Sequence, residues 1–164
     1  MSRSLVVALA DALATERAGE GLAKGLVPGM VVTLSGPLGA GKTTFARGVL
    51  RALGWTGAVK SPTFALVEHY PLSNLYLYHF DFYRFGEAAE WDDAGVSEAF
   101  ARGSVCLIEW PERVAQRLPV VDVAIALSCF ASGAQGRELH ASAATSGGEQ
   151  CLTALAAAVG SIAD

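Results

Sequence analysis

The stretch that decides the fold is GPLGAGKT, at residues 36–43. It has two glycines separated by four residues, followed by a lysine and a hydroxyl residue, which is the P-loop pattern. Glycines can take backbone angles closed to other residues, so Gly36, Gly39 and Gly41 allow successive N–H groups to surround a polyphosphate. Lys42 can reach the β and γ oxygens, and the Thr43 hydroxyl can ligate Mg²⁺. The stretch therefore predicts a site for a magnesium-bound nucleotide.

The residues on both sides of this loop support the interpretation. Residues 30–34 form a short apolar run, as expected for a buried parallel strand, and residues 43–53 carry apolar side chains close to helical spacing up to Gly54. A helix that opens at Lys42 would point its positive end at the bound phosphates. The predicted nucleotide-binding residues of the loop are Gly36, Leu38, Gly39, Ala40, Gly41, Lys42, Thr43 and Thr44.

Composition and charge limit the classes of protein. The chain has 164 residues, of which 52% are hydrophobic, and this predicts one α/β domain over residues 1–164 with a sheet covered on both faces. The net charge is -4, and the 12 basic residues are scattered along the chain. Direct binding of DNA or RNA usually needs a basic face, so we expect contact with nucleic acid only through a partner.

The order of the predicted elements completes the fold class. A first strand covers residues 5–10, and Thr15 is placed as the cap of a helix over residues 16–26. Together with the P-loop unit, the pattern predicts one P-loop NTPase domain with a mostly parallel central sheet, an antiparallel hairpin and helices on both faces. The remaining predicted elements are hairpin strands at 64–70 and 75–83, a helix at 87–102, strands at 104–108, 120–127 and 137–143, and a closing helix at 149–159.

The N-terminus and the cysteines bear on the compartment. Asp11 interrupts the apolar stretch at residues 5–10 before it reaches the length of a signal-peptide core, and no segment is long enough to span a membrane. Cys106, Cys129 and Cys151 are odd in number and form no CxxC motif, which is typical of buried free thiols in a reducing cytosol. We therefore expect a cytoplasmic protein.

Two carboxylates are candidates for the chemistry. Glu109 follows four apolar residues at 105–108, where a strand should emerge beside the phosphates, and it is a predicted metal-side ligand together with Thr43. Many ATPases have Asp and then Glu at this point, but here Glu109 stands alone. Asp81, between Phe80 and Phe82, is therefore predicted as the second acidic group. Asp81, Glu109 and Lys42 form the predicted catalytic set.

Candidate switch residues lie near these carboxylates in the sequence. Ser61 and Thr63 fall where many P-loop proteins have switch I, and Trp110 directly follows Glu109. His69 and His79 lie on the two predicted hairpin strands, but without a third ligand a metal site there is disfavoured, and packing or exposure is expected.

Three classes of P-loop protein compete. A GTPase normally reads guanine through N-K-x-D, and the single asparagine, Asn74, is followed by Leu75. A small-molecule kinase usually has an arginine-rich lid, for which Arg113 and Arg117 are thin support. An ATPase that acts as a conformational timer for partners needs only the features present. The ATPase is the preferred interpretation, and the kinase remains the alternative.

Four segments resemble the TsaE (YjeE-type) family of tRNA threonylcarbamoyladenosine biosynthesis ATPases. They are LSGPLGAGKTTFARG at 34–48, VKSPTFALVE at 59–68, HFDFYR at 79–84 and LIEWPE at 107–112, in the family's order and spacing. The resemblance implies ATP and Mg²⁺ as cofactors and hydrolysis that supports the threonylcarbamoyl modification of the tRNA adenosine beside the anticodon. It also implies docking on the proteins TsaD and TsaB, which would hold the tRNA. Hydrolysis by the isolated chain is expected to be slow, because the sequence shows no clear arginine finger or water-positioning group.

The resemblance also implies roles for individual residues. Lys42 and Thr43 would contact phosphate and Mg²⁺, Glu109 the metal side, and Asp81 and Trp110 would be catalytic or switch residues, with Ser61 and Thr63 in switch I. The family's adenine pocket corresponds to positions near Ala12 and Gly136. Pro37 is a departure, because the family commonly has Asp at that point of the loop.

Overall fold

The computed structural model describes residues 2–62, 65–84, 96–101 and 103–160. Within these residues, seven strands form one mixed sheet in the order β1-β7-β6-β2-β5-β4-β3. The strands are β1 (Arg3–Leu9), β2 (Val31–Ser35), β3 (Val67–Pro71), β4 (Tyr76–Asp81), β5 (Val105–Glu109), β6 (Val123–Ser128) and β7 (Arg137–Ala143).

The centre of the sheet is parallel and its margins are antiparallel. Strand β2 pairs in parallel with both β5 and β6, and β4 pairs in parallel with β5. The pairs β1–β7, β6–β7 and β3–β4 are antiparallel. Because β2, β4 and β5 run in the same direction, their carboxyl ends meet at one edge of the sheet, where ligands bind in open α/β sheets.

Helices cover both faces of the sheet. The described helices are α1 (Ala12–Ala23), α2 (Lys42–Ala52), α3 (Val96–Ala101) and α4 (Ser146–Val159). Residues of α1, α2 and α4 share a buried cluster with Val32, Leu34 and Leu107. Residues of α3 pack with Val31 and Ile108 in a second cluster. Successive strand residues face opposite sides, so β2, β4 and β5 each contribute to both clusters, and the predicted α/β architecture is confirmed.

Several predicted boundaries were wrong, although the element types were right. Helix α1 begins at Ala12 and is capped by Asp11, whose Oδ1 accepts a hydrogen bond of 2.8 Å from the Ala14 N–H; Thr15 lies inside the helix. The hairpin strands are shorter than predicted, and α4 begins at Ser146, with Thr145 as its N-cap. Of the helix predicted at 87–102, residues 96–101 are helical, while residues 87–95 and 102 lie outside the described residues.

Two further expectations can be compared with the structure. In the described part of the chain, no helix has the length and apolar character needed to cross a bilayer. The three cysteines carry free thiols, and Cys106 and Cys151 are buried as expected, but Cys129 is exposed. Burial raises the pKa of Cys106 to about 12, and burial together with the Asp122 carboxylate raises that of Cys151 to about 11.

Because the pKa values of these two buried thiols are raised, we expect the free energy of unfolding to fall in alkaline solution. Above about pH 8.5, the thiols of the unfolded chain lose their protons while those of the folded chain keep them, so unfolding releases protons and the free energy of unfolding falls as the pH rises. The expected loss between pH 8 and pH 10 is about 2 kcal/mol per thiol. Urea denaturation at pH 8 and pH 10, under reducing conditions, measures it. Replacing Cys151 with alanine should reduce this pH dependence, whereas replacing the exposed Cys129 with alanine should leave it unchanged.

Candidate functional site

The P-loop joins the carboxyl end of β2 to the first turn of α2. At Gly36 a Cβ atom would stand 2.2 Å from the carbonyl oxygen of Leu127, so glycine is required for the loop to pass β6. At Gly41 the backbone has φ +103°, a left-handed conformation that favours glycine. Gly41 is the N-cap of α2, and it has no side-chain capping bond among the described residues. The amides of this first turn can therefore serve an anionic ligand.

Lys42 is held beneath this loop. Its side chain is 6% exposed, and its Nζ donates hydrogen bonds to the carbonyl oxygens of Gly36 and, at 3.4 Å, of Pro37. Nζ also lies 4.1 Å from the ring centroid of Trp110, in a cation–π contact. Burial lowers the pKa of Lys42, while the carboxylates of Glu109 and Asp81 act in the opposite direction. The ammonium group is thus held at the P-loop by two carbonyl oxygens and the indole ring.

The two predicted carboxylates lie side by side. Asp81 ends β4 and Glu109 ends β5, and the two residues are register partners in the parallel pair. They are 5% and 2% exposed. The Ser61 hydroxyl lies 2.7 Å from Asp81 Oδ2 and 3.2 Å from Glu109 Oε2, and the Tyr83 N–H donates to Asp81 Oδ1 at 2.9 Å. Ser61, a predicted switch residue, therefore links the segment after α2 to both carboxylates.

A third side chain, His79, joins this group. Its Nε2 lies 2.8 Å from Glu109 Oε2, and its side chain is fully buried. The expectation that His79 is a packing or exposed residue missed this contact. A signal was available in the sequence, because residues 79 and 81 of a strand face the same side, so the motif His-Phe-Asp places the imidazole on the face of β4 that carries Asp81. His69 lies on the other face of the sheet and stacks on Tyr78 at 4.6 Å between ring centroids.

Two adjoining clefts meet at the P-loop. One has a volume of about 340 Å³ and contains the loop residues 38–44 together with Ser61, Asp81, Glu109 and Trp110. The other has a volume of about 380 Å³ and contains Ala12 and Gly136, the positions to which the adenine pocket was assigned. Gly39, Ala40, Gly41 and Thr44 line both clefts. The predicted loop residues 38–44 and the predicted adenine positions Ala12 and Gly136 thus line two clefts that share residues, whereas Gly36 lines neither cleft.

Of the remaining predicted switch residues, the structure describes Trp110 but not Thr63. Trp110 has φ +57°, which is uncommon for a residue with a side chain, and its ring lies 4.9 Å from that of Tyr83. This conformation aims the indole toward Lys42.

Arg137 was not predicted as a site residue, and it connects β7 to the P-loop. Its Nη2 donates to the Gly39 carbonyl oxygen at 3.0 Å, and its Nη1 donates to Gly136 at 2.7 Å. Arg137 also lines the cleft that holds Ala12 and Gly136. The contact joins residues 98 positions apart, so local sequence patterns could not reveal it.

We expect Arg137→Met to weaken nucleotide binding moderately. Methionine retains much of the apolar stem but removes the hydrogen bond that holds Gly39, so part of the loop must be ordered by the ligand. A lost hydrogen bond from a charged donor corresponds to about 1.5–3 kcal/mol, or roughly a 10- to 100-fold higher Kd. Titration with a fluorescent ATP analogue measures the change. Arg17→Met, on the exposed side of α1, is the control, and an unchanged Kd for Arg137→Met would exclude this role.

The residues present fit ATP and Mg²⁺. The uncapped amides of α2 and the ammonium of Lys42 provide donors for phosphate oxygens. The Thr43 hydroxyl and the Glu109 carboxylate offer the hard oxygen ligands that Mg²⁺ prefers, and they line the same cleft. The described residues contain no group of three His, Cys, Asp or Glu side chains arranged around a metal. Mg²⁺ at nucleotide sites commonly uses one or two carboxylates plus phosphate oxygens and water, so this donor set is sufficient.

Residues 9–139, well over half of the chain, match the family described as "Threonylcarbamoyl adenosine biosynthesis protein TsaE". The chain belongs to the TsaE family. The resemblance seen in the four sequence motifs is therefore confirmed.

Individual relatives support the membership. A "tRNA threonylcarbamoyladenosine biosynthesis protein TsaE" from Haemophilus influenzae is 43% identical over 101 residues, covering 62% of this chain and 64% of that protein. The protein of the same name from Bacillus subtilis is 47% identical over 92 residues, covering 56% and 57%. That from Treponema pallidum is 42% identical over 119 residues, covering 73% and 87%. The match thus spans less than two-thirds of the first two relatives.

The fold extends the likeness over the whole chain. A crystal structure of YdiB from Bacillus subtilis superposes with a TM-score of 0.80 and 30% sequence identity, covering 96% of this chain and 97% of that chain. The fold shared with YdiB covers most of the alanine-rich region after residue 120, where the sequence motifs gave little support.

Proposed function

We propose that this TsaE-family protein binds and hydrolyses ATP with Mg²⁺, and that this activity supports the threonylcarbamoyl modification of tRNA. The observation that carries the proposal is the meeting of the P-loop amides, Lys42, Asp81 and Glu109 in one cleft. Family membership supplies the biological context.

The residues divide the work of binding and hydrolysis. The loop amides and Lys42 would hold the phosphates, and Lys42 would exchange its contacts with Gly36 and Pro37 for phosphate oxygens. Thr43 and Glu109 would hold Mg²⁺, which supplies electrostatic stabilisation of the phosphoryl group. Asp81 would orient the water that attacks the γ-phosphorus as the bond to the bridging oxygen breaks.

The Ser61 contacts explain how the nucleotide could control a partner. The single hydroxyl proton can be donated to Asp81 at 2.7 Å or shared with Glu109 at 3.2 Å, the two carboxylates assigned to water and metal, so occupation of the cleft by nucleotide would change the surroundings of Ser61. Ser61 belongs to the long connection between α2 and β3, which would move with it. We propose that the TsaD–TsaB complex reads this movement, and that hydrolysis resets the complex between turnovers.

The charge of the chain suits an indirect role toward tRNA. A net charge of -4 disfavours direct binding to the phosphate backbone, so TsaD and TsaB would hold the tRNA. No membrane or DNA contact is part of the proposal, and the expected location is the cytoplasm, where tRNA is modified.

A reconstituted modification assay tests the proposal. TsaD, TsaB, tRNA and the threonylcarbamoyl donor are combined with and without this protein and ATP, and modified adenosine per complex is measured. We expect multiple turnover only when both are added, and ATPase activity of the isolated chain that is slow and rises with the complex. The Lys42→Ala chain is the negative control. Rapid ATPase activity without the complex would contradict the timer role, and phosphoryl transfer to a small acceptor would instead support the kinase.

A further inference from the structure

His79 is the described residue whose burial is hardest to explain by packing. The side chain is completely inaccessible, yet its Nδ1 has no hydrogen-bond partner among the described residues. An unsatisfied polar atom in a core lowers stability, whereas an apolar side chain of similar size would not. Leu77, two residues earlier and on the same face of β4, is equally buried and apolar. A purely structural requirement at position 79 would therefore favour an aliphatic residue.

The other ring nitrogen indicates what the imidazole does. Nε2 lies 2.8 Å from Glu109 Oε2. A carboxylate accepts hydrogen bonds, so the fitting tautomer carries its proton on Nε2 and leaves Nδ1 as the unsatisfied acceptor. The stability lost by burying an unsatisfied Nδ1 therefore accompanies the hydrogen bond that Nε2 donates to Glu109.

This bond restricts the carboxylate. Both side-chain contacts that the described residues make to Glu109 fall on Oε2: the His79 Nε2 at 2.8 Å, and the Ser61 hydroxyl at 3.2 Å, whose one proton is closer to Asp81. A glutamate side chain with several rotatable bonds is thereby held at the end of β5, where it lines the P-loop cleft. Ser61 lies in a connection outside the sheet, whereas His79 is on β4, so the histidine is the contact fixed by the scaffold.

We propose that His79 is a positioning residue that holds the Glu109 carboxylate ready for its role toward the metal of a bound nucleotide. The inference rests on the proposed function and deepens it. Hydrogen bonds behind ligating groups typically contribute 10- to 100-fold to metal affinity or activity, which sets the expected size of the effect.

The test compares three substitutions of His79 with one control. His79→Leu removes the donor and suits a buried site. His79→Gln retains an N–H donor at a reach similar to that of Nε2, whereas the shorter side chain of His79→Asn cannot reach Glu109. His69→Leu, on the opposite face of the sheet, is the matched control. Circular dichroism and thermal unfolding first establish that each variant is folded. If His79→Leu does not fold, the contrast between glutamine and asparagine carries the test.

The readouts separate a positioning role from a structural one. The affinity for a fluorescent ATP analogue is measured in EDTA and in Mg²⁺, and kcat is measured in Mg²⁺. For His79→Leu and His79→Asn we expect the affinity measured in EDTA to be unchanged. The increase in affinity that Mg²⁺ produces should be 10- to 100-fold smaller than in the wild type, and kcat should fall by a similar factor. His79→Gln should restore most of both losses. In a Glu109→Gln background, His79→Leu should cause no further loss, because it acts through that carboxylate.

Other outcomes overturn the inference in identifiable ways. If His79→Leu changes the melting temperature but neither the Mg²⁺-dependent gain nor kcat, the histidine is structural. If His79→Gln is as impaired as His79→Asn, or if His79→Leu still lowers kcat in the Glu109→Gln background, the effect does not pass through the bond to Glu109. If the wild-type protein shows no Mg²⁺-dependent nucleotide binding, the proposed function and this inference are both overturned. If the wild type binds and hydrolyses ATP with Mg²⁺ and His79→Leu has the same Mg²⁺-dependent affinity and kcat, the inference alone is overturned.

Discussion

Replacing Lys42 with alanine is expected to abolish ATP binding at working concentrations, and hydrolysis with it. Lys42 is the only cationic side chain among the described residues that line the phosphate end of the cleft, where Asp81 and Glu109 also lie. Without the ammonium, no cationic side chain among the described lining residues would offset the repulsion between a polyanionic ligand and the two carboxylates. Loss of a hydrogen bond from a charged donor corresponds to about 1.5–3 kcal/mol, and the unbalanced repulsion adds to it, so the Kd should rise on the order of 100-fold or more.

Isothermal calorimetry with a non-hydrolysable ATP analogue measures this effect directly. Lys42→Met, which retains most of the apolar stem beside Trp110, should behave like Lys42→Ala, because the missing charge and donor are responsible. Lys24→Ala, an exposed lysine at the end of α1, is the matched control. Wild-type affinity in a folded Lys42→Met variant would show that the phosphate site lies elsewhere.

The P-loop unit could be predicted because the residues that form it are adjacent in the sequence. Gly36, Gly41 and Lys42 act through backbone conformation and side-chain reach within one strand–loop–helix segment. The parallel centre of the sheet followed from apolar strands that alternate with helical patterns. Asp81 and Glu109 could be proposed as a pair because each ends a strand, although their register partnership depends on β4 lying next to β5.

The remaining site features depend on distant packing. Arg137 reaches Gly39 only because β7 pairs with β6, which lies beside β2. The contact of His79 with Glu109 depends on β4 lying parallel to and beside β5, a pairing that the pattern within β4 does not specify.

The start of α1 was a different kind of error. Asp11 and Thr15 are both good capping residues, and the intervening Ala12, Leu13 and Ala14 have high helix propensity. Placing the cap at Thr15 left three strong helix formers outside the helix. In the structure Asp11 is the N-cap of α1. The helix therefore begins at Ala12, which lines the predicted adenine cleft.

Neutralising either carboxylate is expected to separate ATP binding from ATP hydrolysis. Asp81→Asn retains an oxygen for the Tyr83 N–H, and its amide can donate to the Ser61 oxygen, so the local hydrogen bonds can be kept. Glu109→Gln likewise preserves the shape of the buried side chain. Both variants lose the negative charge needed to orient water or hold Mg²⁺, so kcat should fall on the order of 100-fold or more.

The affinity for ATP measured in EDTA should survive in both variants, since removing a negative charge from beside the phosphates reduces repulsion while Lys42 and the loop amides remain. Glu109→Gln should in addition lose much of the gain in affinity that Mg²⁺ produces, because this carboxylate is the proposed metal ligand. Steady-state phosphate release and analogue binding, measured on the same preparations, provide the comparison. Glu112→Gln is the matched control, because this exposed carboxylate also acts on the Lys42 ammonium but does not line the cleft. Full ATPase activity in Glu109→Gln would reassign that carboxylate to a structural role. A joint loss of binding and hydrolysis in Asp81→Asn would place Asp81 in nucleotide affinity instead of the chemical step.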